Sequence, residues 1–180
     1  MHPLTFEKPK QLLEILGKPI IEYIWDALPD SITEVVLVVG YKADMLKKYL
    51  GNEHRGKKIH YVLQEKPMGT AHALFLCKSF IGKGEKFLTM FADDIHDKDS
   101  IIQCLKKEYA ILVATVENPR EFGTVITDAE GKVTKTEEKP EHPKTNLVNV
   151  GVYVFDDHIF TYPMPEPEPV KGEYYLTPIL

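Results

Sequence analysis

Cysteine is scarce. Cys77 and Cys104 are the only two, far apart and with no Cys or His at zinc-ligand spacing. This excludes a disulfide framework and a structural zinc site and fits a reducing compartment. The histidines, His2, His54, His60, His72, His96, His142 and His158, are scattered too widely to form a local ligand set. No apolar run reaches the roughly 20 residues of a membrane span, and the N-terminus lacks the basic and apolar regions of a secretory signal. The expectation is a cytoplasmic protein with no membrane partner. Positive charge is not in excess either. Lys and Arg number 22 against 27 Asp and Glu, for a net charge of -5, and the two signs are interspersed. A general nucleic-acid binder would cluster its cations, so that class is excluded, whereas local donors can still hold a small anion. No G-x-G-x-x-G follows any apolar strand, which argues against a dinucleotide-binding or redox domain. There is no nucleophile elbow, no Cys/His catalytic signature and no internal repeat.

What is present is an ordinary globular composition, 43% hydrophobic and 27% charged over 180 residues, enough for about one domain. Ile20, Ile21, Ile24, Trp25 and Leu28 recur at helical spacing between Pro19 and Pro29. Val35 to Val39 reads as a buried strand. Leu46, Tyr49 and Leu50 mark a second helix, and Ile59 to Leu63 a second strand. Thr70 to Phe80 reads as a third helix, Phe87 to Phe91 as a strand, Ile101 to Leu105 as a helix and Ala110 to Val116 as a strand. Such alternation predicts an α/β fold with a mostly parallel sheet and helices on both faces. After Val116 the rhythm changes. Thr124 to Thr127 and Lys132 to Thr136 flank a hairpin at Asp128 to Gly131, and Leu147 to Phe155 is a further strand, so the second half predicts an antiparallel addition. The proline-dense stretch Pro163 to Pro169 reads as an exposed connector.

In sheets of this kind ligands bind beyond the carboxyl ends of the strands, and four groups of residues lie at such places. The first is Pro3-Leu4-Thr5, then Lys8-Pro9-Lys10-Gln11-Leu12-Leu13 and Gly17-Lys18-Pro19. The second is Gln64 with Met68-Gly69-Thr70-Ala71-His72-Ala73. A carboxamide offers a donor and an acceptor side by side, although Gly69-Thr70 alone reads as a capped helix start. The third is Phe91-Ala92-Asp93-Asp94, a carboxylate doublet at a strand end that suits Mg²⁺; Asp94 or Asp97 alternatively caps the next helix. The fourth is Glu121-Phe122-Gly123-Thr124-Val125, then Glu137-Glu138-Lys139-Pro140 and Asn149-Val150-Gly151-Val152-Tyr153.

Taken in order, these segments and Gly172-Glu173-Tyr174-Tyr175-Leu176-Thr177 resemble the sugar-nucleotide pyrophosphorylases, the sugar-1-phosphate nucleotidyltransferases of the glucose-1-phosphate thymidylyl- and uridylyltransferase type. The resemblance implies a Rossmann-like nucleotide-diphospho-sugar transferase fold. It divides the chain into a nucleotide-binding half, 1–116, and a sugar-phosphate-binding half, 117–180, of one domain. It implies catalytic roles for Lys10 and Asp93, nucleotide contacts from Lys10, Gln64, Gly69 and Thr70, and sugar-phosphate contacts from Gly123, Glu138, Lys139 and Asn149. Asp93 would be the metal ligand and Mg²⁺ the cofactor. Gln64 tilts the base towards a pyrimidine, hence UTP or dTTP. Glucose 1-phosphate and its N-acetylglucosamine analogue both remain open as acceptors, and a homo-oligomer is compatible with the pattern.

Two departures qualify the match. The G-G-x-G-T-R part of the loop motif and its first strand do not precede Met1, and the W-x-D-x-G segment carrying a second metal aspartate is not reached by Leu180. The expectation is therefore a domain truncated at both ends and with little transferase activity in isolation. A non-catalytic homologue that binds nucleotide without turnover is the other reading.

Overall fold

The computed structural model describes residues 4–169 and 172–180; Pro3 of the first motif lies outside them. A single 3-10 turn at Lys10–Leu12 buries Leu12 and leads into the hairpin of β1 (Glu14–Ile15) and β2 (Lys18–Pro19). Helix α1 (Ile20–Ala27) begins directly after Pro19 and buries Ile20, Ile21, Ile24, Trp25 and Ala27, the apolar stripe expected of a helix covering a sheet.

Strand β3 (Glu34–Val39), helix α2 (Ala43–Leu50), the short β4 (Glu53–His54) and β5 (Lys57–Leu63) come next along the chain. β3 and β5 are paired in parallel from Glu34 and Lys58 to Val39 and Leu63, and β4 folds back antiparallel on β5. The Lys57 ammonium is buried beneath this sheet, donating to the carbonyls of Pro29 and Ile32 at 2.9 and 2.6 Å. It thereby satisfies two carbonyl acceptors of the loop after α1.

The second sheet is built from β6 (Lys86–Met90), β7 (Ala110–Thr115), β8 (Gly123–Thr127), β9 (Val133–Glu138) and β10 (Leu147–Asp156). Helix α3 (Thr70–Leu76) precedes it and α4 (Lys98–Leu105) joins β6 to β7. The helix expected to continue to Phe80 stops at Leu76, and its last stretch tightens into a 3-10 turn at Lys78–Phe80, a common way for a helix to end. The antiparallel addition is not an appendage at one edge. β10 runs between β6 and β7, antiparallel to both, with Tyr153 facing Thr89 on one side and Ile111 on the other. β6 and β7 therefore share one direction.

Alternate residues of β10 face opposite layers, as in any strand. Val152 packs with Ala27 of α1 and Ile101 of α4, while Tyr153 and Phe155 pack with Leu74 of α3, Ile159, Phe160 and Leu176. Helices thus cover both faces. A third cluster joins α1 and α2 to Leu37 and Val39 of β3, with Leu88 and Met90 of β6 against it. Among the described residues β3 and β6 each have a strand partner on one edge only. No described helix is long and apolar enough to cross a membrane.

One irregularity interrupts β10 near its middle. Its pairing with β7 shifts register between Asn149 and Tyr153, and Gly151 there takes φ +75°. A Cβ on Gly151 would lie 2.3 Å from the Phe91 ring, so both the backbone and the space demand glycine. Gly151→Ala is expected to lower stability by about 2 kcal/mol or more, combining left-handed strain with overpacking. A urea unfolding midpoint matching the parent would contradict this account.

Candidate active site

The edge of β10 carrying β6 at one end carries β8 at the other, through Val148 and Thr124. Between them β6 and β8 part, and just past β6 the Phe91 N–H still bonds the Gly151 carbonyl of β10 at 2.9 Å. A cleft of about 610 Å³ opens at this point, lined by Thr70, Asp94, His96, Gly123, Glu138, Lys139, Asn149, Tyr175 and Thr177 among others. Its size suits a small organic ligand.

Glu138 and Lys139 are neighbours in sequence, and in a regular strand their side chains would point to opposite faces. Lys139 instead adopts φ +41°, uncommon for a residue with a side chain, and both line the cleft. Its N–H donates to the Phe122 carbonyl at 3.2 Å, closing the turn. Glu138 is paired across the hairpin with Gly123 and accepts a 2.7 Å hydrogen bond from the Thr177 hydroxyl. A Cβ on Gly123 would come within 3.1 Å of both groups of that bond. Asn149 is partly committed. Its Oδ1 accepts from the Gly151 N–H at 2.8 Å and its amide donates to the Tyr153 hydroxyl, leaving one amide hydrogen for a ligand.

Lys10 and Asp93, separated by 83 positions, meet with Nζ 2.5 Å from Oδ2. Their side chains are 36% and 38% exposed, so a ligand reaches the pair from solvent. Neither is among the residues lining the cleft, but Asp94, the next residue after Asp93, is. Desolvation, followed by the adjacent Asp93 charge, pushes the Asp94 carboxyl above its usual range. Asp97 rather than Asp94 caps α4, accepting from the Ser100 N–H at 2.8 Å. Among the described residues no group of three or more His, Cys, Asp or Glu is arranged to hold a metal ion. Asp93, half exposed beside a cation, suits a hard ion whose remaining ligands come from phosphate and water.

Gln64 and Gly69 also come together. The Gln64 amide nitrogen lies 3.2 Å from the Gly69 carbonyl and 2.9 Å from His72 Nδ1. Its donor side is thus occupied within the chain and its carbonyl is the side left to a ligand. Gly69, φ +93°, does permit a close backbone approach, but the approaching chain is Tyr174, whose carbonyl would sit 2.5 Å from a Cβ. Tyr174 bonds the Met68 carbonyl and the Ala71 N–H, both at 2.8 Å. Thr70 does not cap α3; its hydroxyl accepts from the Leu176 N–H at 3.0 Å.

Of the residues singled out in sequence, Thr70, Gly123, Glu138, Lys139 and Asn149 share the cleft. Lys10 with Asp93 and Gln64 with Gly69 form two pairs outside its lining. Thr177, Tyr175 and His96 join the cleft without having a role assigned from sequence. Thr177 and Tyr175 belong to a segment that carries the family resemblance, so a signal existed without a function; His96 carried none.

A protein-family description, nucleotidyl transferase, matches residues 1–175 of the chain. The chain belongs to this family. It is 36% identical over 160 residues to the bifunctional protein GlmU of Methanocaldococcus jannaschii, covering 89% of the chain and 38% of the relative. With the UTP–glucose-1-phosphate uridylyltransferase AglF of Haloferax volcanii it shares 34% over 168 residues, covering 89% and 68% of the two chains. A crystal structure of a Bacillus anthracis protein assigned as a glucose-1-phosphate thymidylyltransferase superposes with a TM-score of 0.85 at 27% identity, over 99% of the chain and 75% of that structure. The fold of this nucleotidyl transferase chain is thus the nucleotide-diphospho-sugar transferase fold. The chain spans under two fifths of the GlmU relative.

Gly69→Ala is expected to release the segment around Tyr174 from α3. Limited proteolysis should then cut near residues 172–176 at least several-fold faster than in the parent, with the melting temperature lowered. Unchanged cleavage would refute the docking role assigned to Gly69.

Proposed function

We propose that this nucleotidyl transferase joins a sugar 1-phosphate to UTP or dTTP, forming a nucleotide-sugar and pyrophosphate. The observation that carries the reading is the meeting of a carboxylate, Glu138, an ammonium, Lys139, and a carboxamide, Asn149, in one cleft whose wall continues through Asp94 to the Lys10–Asp93 pair. Glu138 and Asn149 supply an acceptor and a donor for sugar hydroxyls, and Lys139 supplies charge for the sugar's phosphate. Residues 1–116 take the nucleotide and 117–180 the sugar phosphate, except that several residues of the first half, Thr70, Asp94 and His96 among them, also line the sugar-phosphate cleft.

In this reading the sugar phosphate oxygen attacks the α-phosphorus of the triphosphate in line and pyrophosphate leaves. The chain needs no nucleophile of its own, and positioning and electrostatics supply the acceleration. Lys10 holds its ammonium where charge grows on the leaving pyrophosphate. Asp93 would hold Mg²⁺, which when bound would offset negative charge on the phosphates. Lys10 also pairs with Asp93, which keeps the two groups together. The Gln64 carbonyl accepts from the N3–H of uracil or thymine, a proton cytosine lacks. Glucose 1-phosphate and N-acetylglucosamine 1-phosphate are the two acceptors this reading admits.

The test is calorimetric titration of the chain with glucose 1-phosphate, N-acetylglucosamine 1-phosphate, UTP and dTTP in Mg²⁺, with pyrophosphate release measured alongside. Lys139→Ala is expected to weaken the sugar phosphate by about 10- to 100-fold, the worth of a charge-assisted bond of roughly 1.5–3 kcal/mol, and to leave nucleotide affinity nearly unchanged. Lys10→Ala should do the reverse. A folded chain that takes up neither class of ligand would sink the proposal. Nucleotide uptake without pyrophosphate release from a protein containing this chain would favour a non-catalytic binder.

A further inference from the structure

At its midpoint β10 carries two residues more than the strand beside it. From Asn149 to Tyr153 it takes four steps, while the facing stretch of β7, from Val113 to Ile111, takes two. In a regular strand, residues four apart are separated by roughly 13 Å along the axis and residues two apart by roughly 7 Å. Side chains standing perpendicular to the sheet do not meet across the longer spacing. The bulge shortens it, and the Asn149 amide donates to the Tyr153 hydroxyl. Extra residues of this kind commonly re-aim a side chain beside an active site.

The bulge also fixes the other end of the carboxamide. Gly151, within it and at φ +75°, donates its N–H to Asn149 Oδ1 at 2.8 Å. The carbonyl and the amide of Asn149 therefore cannot exchange places without setting donor against donor at Gly151. The Tyr153 ring is held as firmly. It is wholly buried, stacked on Phe155 at 5.5 Å between centroids and edge-on to Phe91 at 6.0 Å. Asn149 lines the cleft and Tyr153 does not. The Tyr153 hydroxyl thus acts on a ligand through the Asn149 amide, whose second hydrogen is a donor still free to pair.

We propose that Tyr153 is a positioning residue for sugar recognition: its hydroxyl, brought beside Asn149 by the two-residue bulge, holds the carboxamide so that the second N–H meets one hydroxyl oxygen of the sugar. This rests on the sugar-phosphate reading of the cleft. A donor fixed in advance spends little on ordering when the ligand arrives. A sugar 1-phosphate deoxygenated at that position is therefore selected against, and the selection depends on a residue the sugar does not touch.

The experiment measures binding of glucose 1-phosphate and each of its monodeoxy analogues to the parent chain, to Asn149→Ala, to Tyr153→Phe and to the double variant. Asn149→Ala marks the position read: the penalty for the analogue lacking that hydroxyl, about fivefold in the parent, should vanish while the others persist. Tyr153→Phe is expected to lose most of that same penalty and no other, and to add nothing in the Asn149→Ala background. NMR of the parent needs no variant to fold: an Asn149 side-chain amide proton should show a nuclear Overhauser contact to the Tyr153 ring. Absence of that contact, a Tyr153→Phe chain that keeps the Asn149-dependent penalty, or one whose affinities all fall by a common factor would overturn the positioning role and leave the cleft's role intact. If Asn149→Ala removes no penalty, or the parent binds no sugar phosphate, the sugar reading of the cleft falls and this inference with it.

Discussion

The structure depends on the pairing of one strand, β10, along both its edges. Its central residues Val148, Val152, Tyr153 and Val154 are wholly excluded from solvent, and backbone groups so placed must be hydrogen-bonded within the protein. β7 satisfies one edge; β6 and β8 share the other. Because two strands divide that edge, they part where they meet, and the cleft lies in the parting. The Gly151 irregularity is set at the same point, and the Phe91 ring occupies the volume a side chain would need. Core formation and cleft formation are thus one event. A change that closed the gap would also have to rebuild the register of the central strand.

The second constraint is electrostatic. The chain carries net negative charge, yet the proposed ligands are polyanions, so recognition rests on a few cations held in place. Lys10 is held by Asp93, and Lys139 by a left-handed backbone turn that brings it to the same side as Glu138. Such strained residues persist only where surrounding structure determines them. Here the surrounding structure is the Phe122 carbonyl, the Gly123 ladder and the Thr177 hydroxyl on Glu138. The C-terminal residues contribute in the same manner. Tyr174 and Leu176 lock the start of α3 while Thr177 orients the carboxylate.

Much of the fold and the site is legible from residue order. The strands at Val35 to Val39, Ile59 to Leu63 and Leu147 to Phe155 announce themselves by continuous apolar runs, and Asp128 to Gly131 by hairpin chemistry, because these signals are local. Asp93, Glu138 and Lys139 stand out at strand ends, and Lys10 and Asn149 join them because all five lie in segments whose order resembles a known family. What no local pattern contains is which strands lie side by side. Only the folded chain places β10 between β6 and β7 and brings Thr177 to Glu138 and Tyr174 to Gly69. Spacing along the chain records the period of a helix or strand, but contacts between distant segments are decided by how their buried faces and unpaired backbone groups find one another, and that happens only in three dimensions.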